Sequence, residues 1–196
     1  MINTVINSKQ SLKTERPFNT QKERIIFIGQ PGSGKSTLAK NLSQNLGWLF
    51  IDSDSLLEAW YGVELENLKN NLGLTDFLKA EANIILSLDV NRCIIATGGS
   101  VVYSQQAMQY LKNIGLIVYL KIDYQTLVQR VSRHPYRGLI IQSGQRLIDI
   151  YQERTPKYEF WADYCLQTDH CPISQCIQKI KDWYNDLIAP KTNQGL

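Results

Sequence analysis

The stretch Gly29-Gln30-Pro31-Gly32-Ser33-Gly34-Lys35-Ser36 carries the glycine, lysine and hydroxyl positions of a polyphosphate-binding loop. Glycines at those positions let successive backbone N–H groups turn toward an anion, and a helix starting just after them adds its positive dipole end. Lys35 supplies a mobile cation for β- and γ-phosphates, and Ser36 a hydroxyl able to ligate Mg2+. The chemistry implied is binding of ATP or GTP. A turn that only caps a helix has no need of Lys-Ser after its last glycine, so nucleotide binding is the stronger reading.

Phosphoryl transfer needs a metal-clamped nucleotide, cations around the migrating group and an acceptor hydroxyl held in line. Asp52 and Asp54 follow an apolar run, the first suited to Mg2+ and the second to taking the acceptor's proton. Either could instead cap the helix that follows. Gly98-Gly99 either admits substrate to the backbone or forms a plain tight turn. Arg133, His134, Arg137 and Gly138 give a basic stretch without periodicity, readable as a lid over phosphates or as a solvated loop. Arg154, near the end of its helix and followed by Pro156, binds an anionic substrate group or that helix terminus.

These groups are scattered over more than a hundred positions, so secondary structure must gather them. Arg24–Ile28, Trp48–Ile51, Cys93–Thr97, Gly115–Ile122 and Tyr164–Gln167 are short apolar runs of the kind found in buried parallel strands. Between them lie helical patterns: one through Leu38, Leu42 and Leu46, one through Leu57 and Trp60, and two from about Leu65 to Asp89, broken near Gly73 with Thr75 or Asp76 as cap. Further helices are expected over 104–112, from Asp123 to Val131, through Tyr158, and over 173–188. This alternation predicts an α/β fold, three layers with a parallel five-stranded sheet. Ligands of such sheets bind beyond the carboxyl ends of the strands, where the loop at 29–36, Asp52 to Asp54 and Gly98 to Ser100 all fall.

The chain has 196 residues, 43% of them hydrophobic, enough for one well-buried core. The expected division is a disordered tail at 1–22, a kinase-like domain at 23–189 with its lid at about 132–144, and a short tail at 190–196. A net charge of +3 without basic runs gives no reason to expect nucleic acid. No apolar stretch is long enough for a membrane span, so a cytoplasmic protein is expected, acting as a monomer. Cys93, Cys165, Cys171 and Cys176 form no CxxC pair and read as small buried hydrophobes; a metal site at His170, Cys171 and Cys176 is the weaker alternative.

Taken together, the phosphate loop, Asp52-x-Asp54, Phe77-x-x-x-Glu81, Ala96-Thr97-Gly98-Gly99, the lid Arg137 and Glu153-Arg154-x-Pro156-x-Tyr158 with Ala162-Asp163 resemble shikimate kinase from about Arg24 to Ile188. The resemblance implies a kinase moving the γ-phosphoryl of ATP, with Mg2+, to a hydroxyl of a small carboxylate, shikimate by default. It implies a nucleotide set of Gly32, Ser33, Gly34, Lys35, Ser36 and Thr37, with Mg2+ on Ser36 and Asp52. It implies Asp54 as base and Arg137 beside the phosphoryl group, with Lys35, Asp54 and Arg137 forming the catalytic set. Arg130, Arg137 and Pro172 would join the nucleotide site, and Asp54, Glu81, Gly98, Gly99 and Arg154 the substrate site, with Arg154 on its carboxylate.

The departures lie on the acceptor side. Where the family reads Phe-Arg-x-x-Glu, this chain has Phe77-Leu78-Lys79-Ala80-Glu81, so a second carboxylate-gripping arginine is Leu78. Lys79 is a poor stand-in, because one helical step turns a side chain by roughly 100°. Ser100 replaces a glycine, and the lid reads Arg137-Gly138-Leu139-Ile140. Without that arginine Glu81 lacks a cation, which an ammonium-bearing acceptor would restore. Homoserine is therefore the alternative acceptor, and a nucleotide-binding module without catalysis is a second alternative.

Overall fold

The computed structural model describes residues 23–133 and 144–189. Its sheet has five parallel strands: β1 (Arg24–Ile28), β2 (Leu49–Asp52), β3 (Cys93–Ala96), β4 (Leu116–Lys121) and β5 (Tyr164–Gln167), ordered β2-β3-β1-β4-β5. Every residue of β1 is buried, because helices cover both faces of the strand that lies at the centre. On one face Ile26, Ile28, Ile95 and Tyr119 pack with Ile85, Met108, Leu111 and Tyr158. On the other, Ile25, Phe27, Ile94 and Val118 pack with Leu38, Leu42, Ile177 and Ile180. The three-layer α/β expectation holds.

The helices are α1 (Lys35–Leu46), α2 (Ser53–Tyr61), α3 (Leu65–Leu86), α4 (Gln105–Ile114), α5 (Tyr124–Arg133), α6 (Leu147–Trp161) and α7 (Ile173–Ile188), with a 3-10 turn at Val101–Tyr103. The chain runs from β1 outward to β2, returns to β3 on one side of β1, then crosses to β4 and β5 on the other. The crevice at this switch point opens at the end of β1, directly under the phosphate loop.

The break expected near Gly73 is present: its φ of 70° and ψ of 171° interrupt α3 and divide it into two helical halves. Asp76 pairs with Lys79 at 2.8 Å, so its side chain serves an exposed ion pair. Of the cysteines, Cys93 and Cys176 are buried, but Cys165 is exposed and Cys171 half-buried: β5 is an edge strand, and alternate side chains of an edge strand can face outward. A small satellite core of Leu57, Leu68, Phe77, Ala80 and Ile84 holds α2 against α3. No helix among the described residues is long and apolar enough to cross a membrane.

Candidate functional site

The loop after β1 shows why its glycines matter. Gly34 caps α1 with φ 96° and ψ 12°, a left-handed conformation that a side chain would strain, so α1 can begin abruptly with its N–H groups facing the crevice. Lys35 is buried, and its Nζ donates to the carbonyls of Gly29 at 2.9 Å and Gln30 at 3.0 Å. Burial pulls its ammonium down to about 8. The loop is braced from outside: Arg130 Nη1 donates to the Gly32 carbonyl at 2.7 Å, and Thr168 Oγ1 to that of Ser33 at 3.3 Å.

A cleft of about 900 Å³ opens over this loop, with Lys35, Ser36, Thr37, Asp52, Asp54 and Arg130 on its walls. Asp52 accepts from the Asp54 backbone N–H at 3.1 Å, so the helix-cap reading holds, and the same residue also lines the cleft. Ser36 and Asp52 offer hard oxygen donors of the type Mg2+ takes. Gly32, Gly34 and Gly99 also line the cleft; Ser33 is buried within the loop, its Oγ without a hydrogen-bond partner.

Gly98 is the point where strand β3 meets the acceptor side. Its N–H donates to Ser53 Oγ at 2.9 Å, which ties β3 to the start of α2. A Cβ on Gly98 would collide with Glu81 Oε1 and lie 2.7 Å from Asp54 Oδ1. Two carboxylates thus converge on one α-carbon, and the tight-turn reading of this glycine gives way to one of close approach. Burial and then Asp52 lift Asp54 to about 6, while burial and then Asp54 lift Glu81, 4% exposed, to about 7.

Arg154 lies inside α6 rather than at its end, since Pro156 is accommodated within the helix, and it is 1% exposed. Its Nε donates to Tyr103 Oη at 3.2 Å and its guanidinium stacks 5.0 Å from the Tyr103 ring centre, while Nη1 has no hydrogen-bond partner. A Cβ on Gly99 would stand 3.3 Å from that same Nη1, so the orphaned donor is directed at the glycine pair. Tyr158 Oη closes the corner by donating to the Gly99 carbonyl at 2.6 Å.

The structure therefore gathers Lys35, Ser36, Thr37, Asp52, Asp54, Glu81, Gly98, Gly99, Arg130 and Arg154 around one end of the sheet. Pro172 is the N-cap of α7 and is not among the residues lining the cleft. Arg137 and His134 lie outside the described residues. Sequence reasoning missed three contributors: Ser53 and Tyr103, whose roles depend on partners 45 and 51 positions away, and Lys69. The Lys69 Nζ is buried without a hydrogen-bond partner, 5.5 Å from the centre of the Phe77 ring, and its charge interacts first with Glu66 and then with Asp54, Glu81 and Arg154. Lys79, by contrast, is exposed and engaged with Asp76, as its position one step from Leu78 implied.

The comparisons agree with this geometry. The family model described as shikimate kinase matches residues 31–185. A shikimate kinase of Actinobacillus pleuropneumoniae serotype 5b is 36% identical over 152 residues, covering 76% of this chain and 88% of that protein. One of Thermodesulfovibrio yellowstonii is 31% identical over 173 residues, covering 87% and 99%. Among solved structures, shikimate kinase from Acinetobacter baumannii in complex with shikimate superposes with a TM-score of 0.79 at 27% identity, over 85% of this chain and 95% of that one. The enzyme of Aquifex aeolicus vf5 gives 0.72 at 25% identity, over 85% and 99%. With its phosphate loop, paired aspartates and buried arginine in the places the motifs require, this chain belongs to the shikimate kinase family.

Proposed function

We propose that the protein phosphorylates shikimate, transferring the γ-phosphoryl of ATP to a ring hydroxyl. The observation carrying this reading is the convergence of Asp54 and Glu81 on Gly98, with the unpartnered Nη1 of Arg154 beside Gly99. A polyhydroxylated ring needs acceptors for its hydroxyl protons at one end and a cation for its carboxylate at the other. Both kinds of group stand beside the Gly98-Gly99 pair.

The residues act as follows. Backbone N–H groups of the loop at 32–37 hold the polyphosphate, and Lys35 moves from its carbonyl partners onto the phosphates. Ser36 and Asp52 would hold Mg2+, which would neutralise charge on the phosphates. Asp54, lifted toward neutrality, accepts the hydroxyl proton as the oxygen attacks. Arg154 fixes the carboxylate, and Tyr103 fixes Arg154. Arg130 braces the loop and edges the nucleotide side of the cleft. Arg137 is assigned to the phosphoryl group as a lid residue on the sequence motif alone.

Neither alternative gains ground. The homoserine reading supposes that Glu81 lacks a cation, whereas the charges of Arg154 and then Lys69 both act on it. A module without catalysis has no use for an acceptor-side aspartate raised toward neutral pH. The test is 31P NMR of the protein with Mg-ATP and shikimate: growth of a phosphomonoester resonance in step with ADP supports the reading. ADP formation with inorganic phosphate alone would reject it.

A further inference from the structure

We propose that Lys69 is a substrate-binding residue, which with Arg154 forms the two-cation grip on the acceptor's carboxylate. The inference deepens the function proposed above and rests on it. Its basis is a pair of orphaned donors. Among the described residues, the buried nitrogens of basic side chains without a hydrogen-bond partner are Lys69 Nζ and Arg154 Nη1. The two charges are close enough to act on each other, and both act on Glu81. Lys69 feels the carboxylates of Glu66, Asp54 and Glu81, but neither its ammonium nor the guanidinium N–H makes a hydrogen bond, and buried donors left unmet call for an anion because each carries a desolvation cost.

Helix geometry aims the lysine at the site. Leu65 and Glu66 line the cleft, and Lys69 stands four and three residues beyond them, on the same face of the first half of α3. The Phe77 ring, in the second half of that element, lies beneath the ammonium and restricts where the long side chain can go. The kink at Gly73 is what folds these two halves so that residues eight apart meet. Burial pulls the Lys69 ammonium below its ordinary range, so an arriving carboxylate would strengthen the charged form. Leu78 cannot make that contact, and the cation missing from one half of α3 is furnished by the other.

The test compares Lys69→Met, Lys69→Gln and Lys69→Arg with the unmodified protein, using shikimate and its methyl ester as acceptors. Loss of a charge-assisted contact raises the KM for shikimate roughly 10- to 100-fold in the Met and Gln variants. The KM for ATP, which also reports intact folding, stays within about twofold, and Lys69→Arg retains affinity within a few-fold. With the methyl ester, whose carboxylate is masked, the unmodified protein and Lys69→Met should differ by less than about threefold. An unchanged KM for shikimate, or equal losses on acid and ester, overturns the assignment while leaving the kinase reading intact. Absence of shikimate turnover by the unmodified protein overturns both.

Discussion

The carboxylate of Glu81 packs so closely against the α-carbon of Gly98 that no side chain fits between them, although the two residues come from a helix and a strand end. This contact sets the floor of the acceptor pocket. Asp54 closes the same point from α2, with Oδ1 2.7 Å from where a Cβ would stand.

Gly98→Ala must therefore push both carboxylates aside. We expect kcat/KM for shikimate to fall by at least two orders of magnitude, because displacement of reacting groups by about 1 Å is that costly. ATP binding, measured by calorimetry, should stay within a few-fold. Equal loss of ATP binding would mean that the glycine supports the whole loop region instead.

Asp54 must be ionised to take a proton, and its pKa near 6 places the transition within the measurable range. The profile of kcat/KM for shikimate should fall as pH drops through about 6, close to tenfold per pH unit below it. Asp54→Asn should lower kcat by roughly 10²- to 10⁴-fold. A rate independent of pH between 5 and 7 would remove Asp54 from this role.

Glu81 makes a prediction about stability. Its folded pKa, near 7, lies above the ordinary carboxyl value, so the native state binds a proton that the unfolded chain has released. The penalty is absent below about pH 4.5 and develops fully above about pH 7. Glu81→Gln should stabilise the ligand-free protein at pH 8 by up to the order of 2–3 kcal/mol, read as a higher melting temperature, and give no gain at pH 4.5. Thermal scans at the two pH values check the sign.

Tyr103 holds the Arg154 guanidinium by a hydrogen bond and by its ring face. Tyr103→Phe keeps the ring and should raise the KM for shikimate only a few-fold, whereas Tyr103→Ala removes both contacts and should cost more than tenfold. Identical effects of the two variants would show that the hydroxyl alone matters.

Much of this site could be read from the sequence because its parts follow strands. Gly29 to Ser36, Asp52 to Asp54 and Gly98-Gly99 each end an apolar run, and parallel sheets send such ends to one edge. The arginine in α6 was legible as a candidate but not as a buried one, since its burial rests on Tyr103 and Gly99, which come from distant segments. Lys69 was illegible for a different reason. It lies in a polar stretch before a glycine, eight positions ahead of the motif it complements, and only the backbone turn at Gly73 returns it to Phe77. Local pattern cannot report a contact created by a kink.

The central claim is the identity of the acceptor, and a coupled ADP-release assay with Mg-ATP tests it most directly. Shikimate and L-homoserine would be compared over the same concentration range. The account predicts saturable turnover with shikimate and none above background with homoserine. Turnover confined to homoserine would contradict it and return Glu81 to the role of ammonium partner.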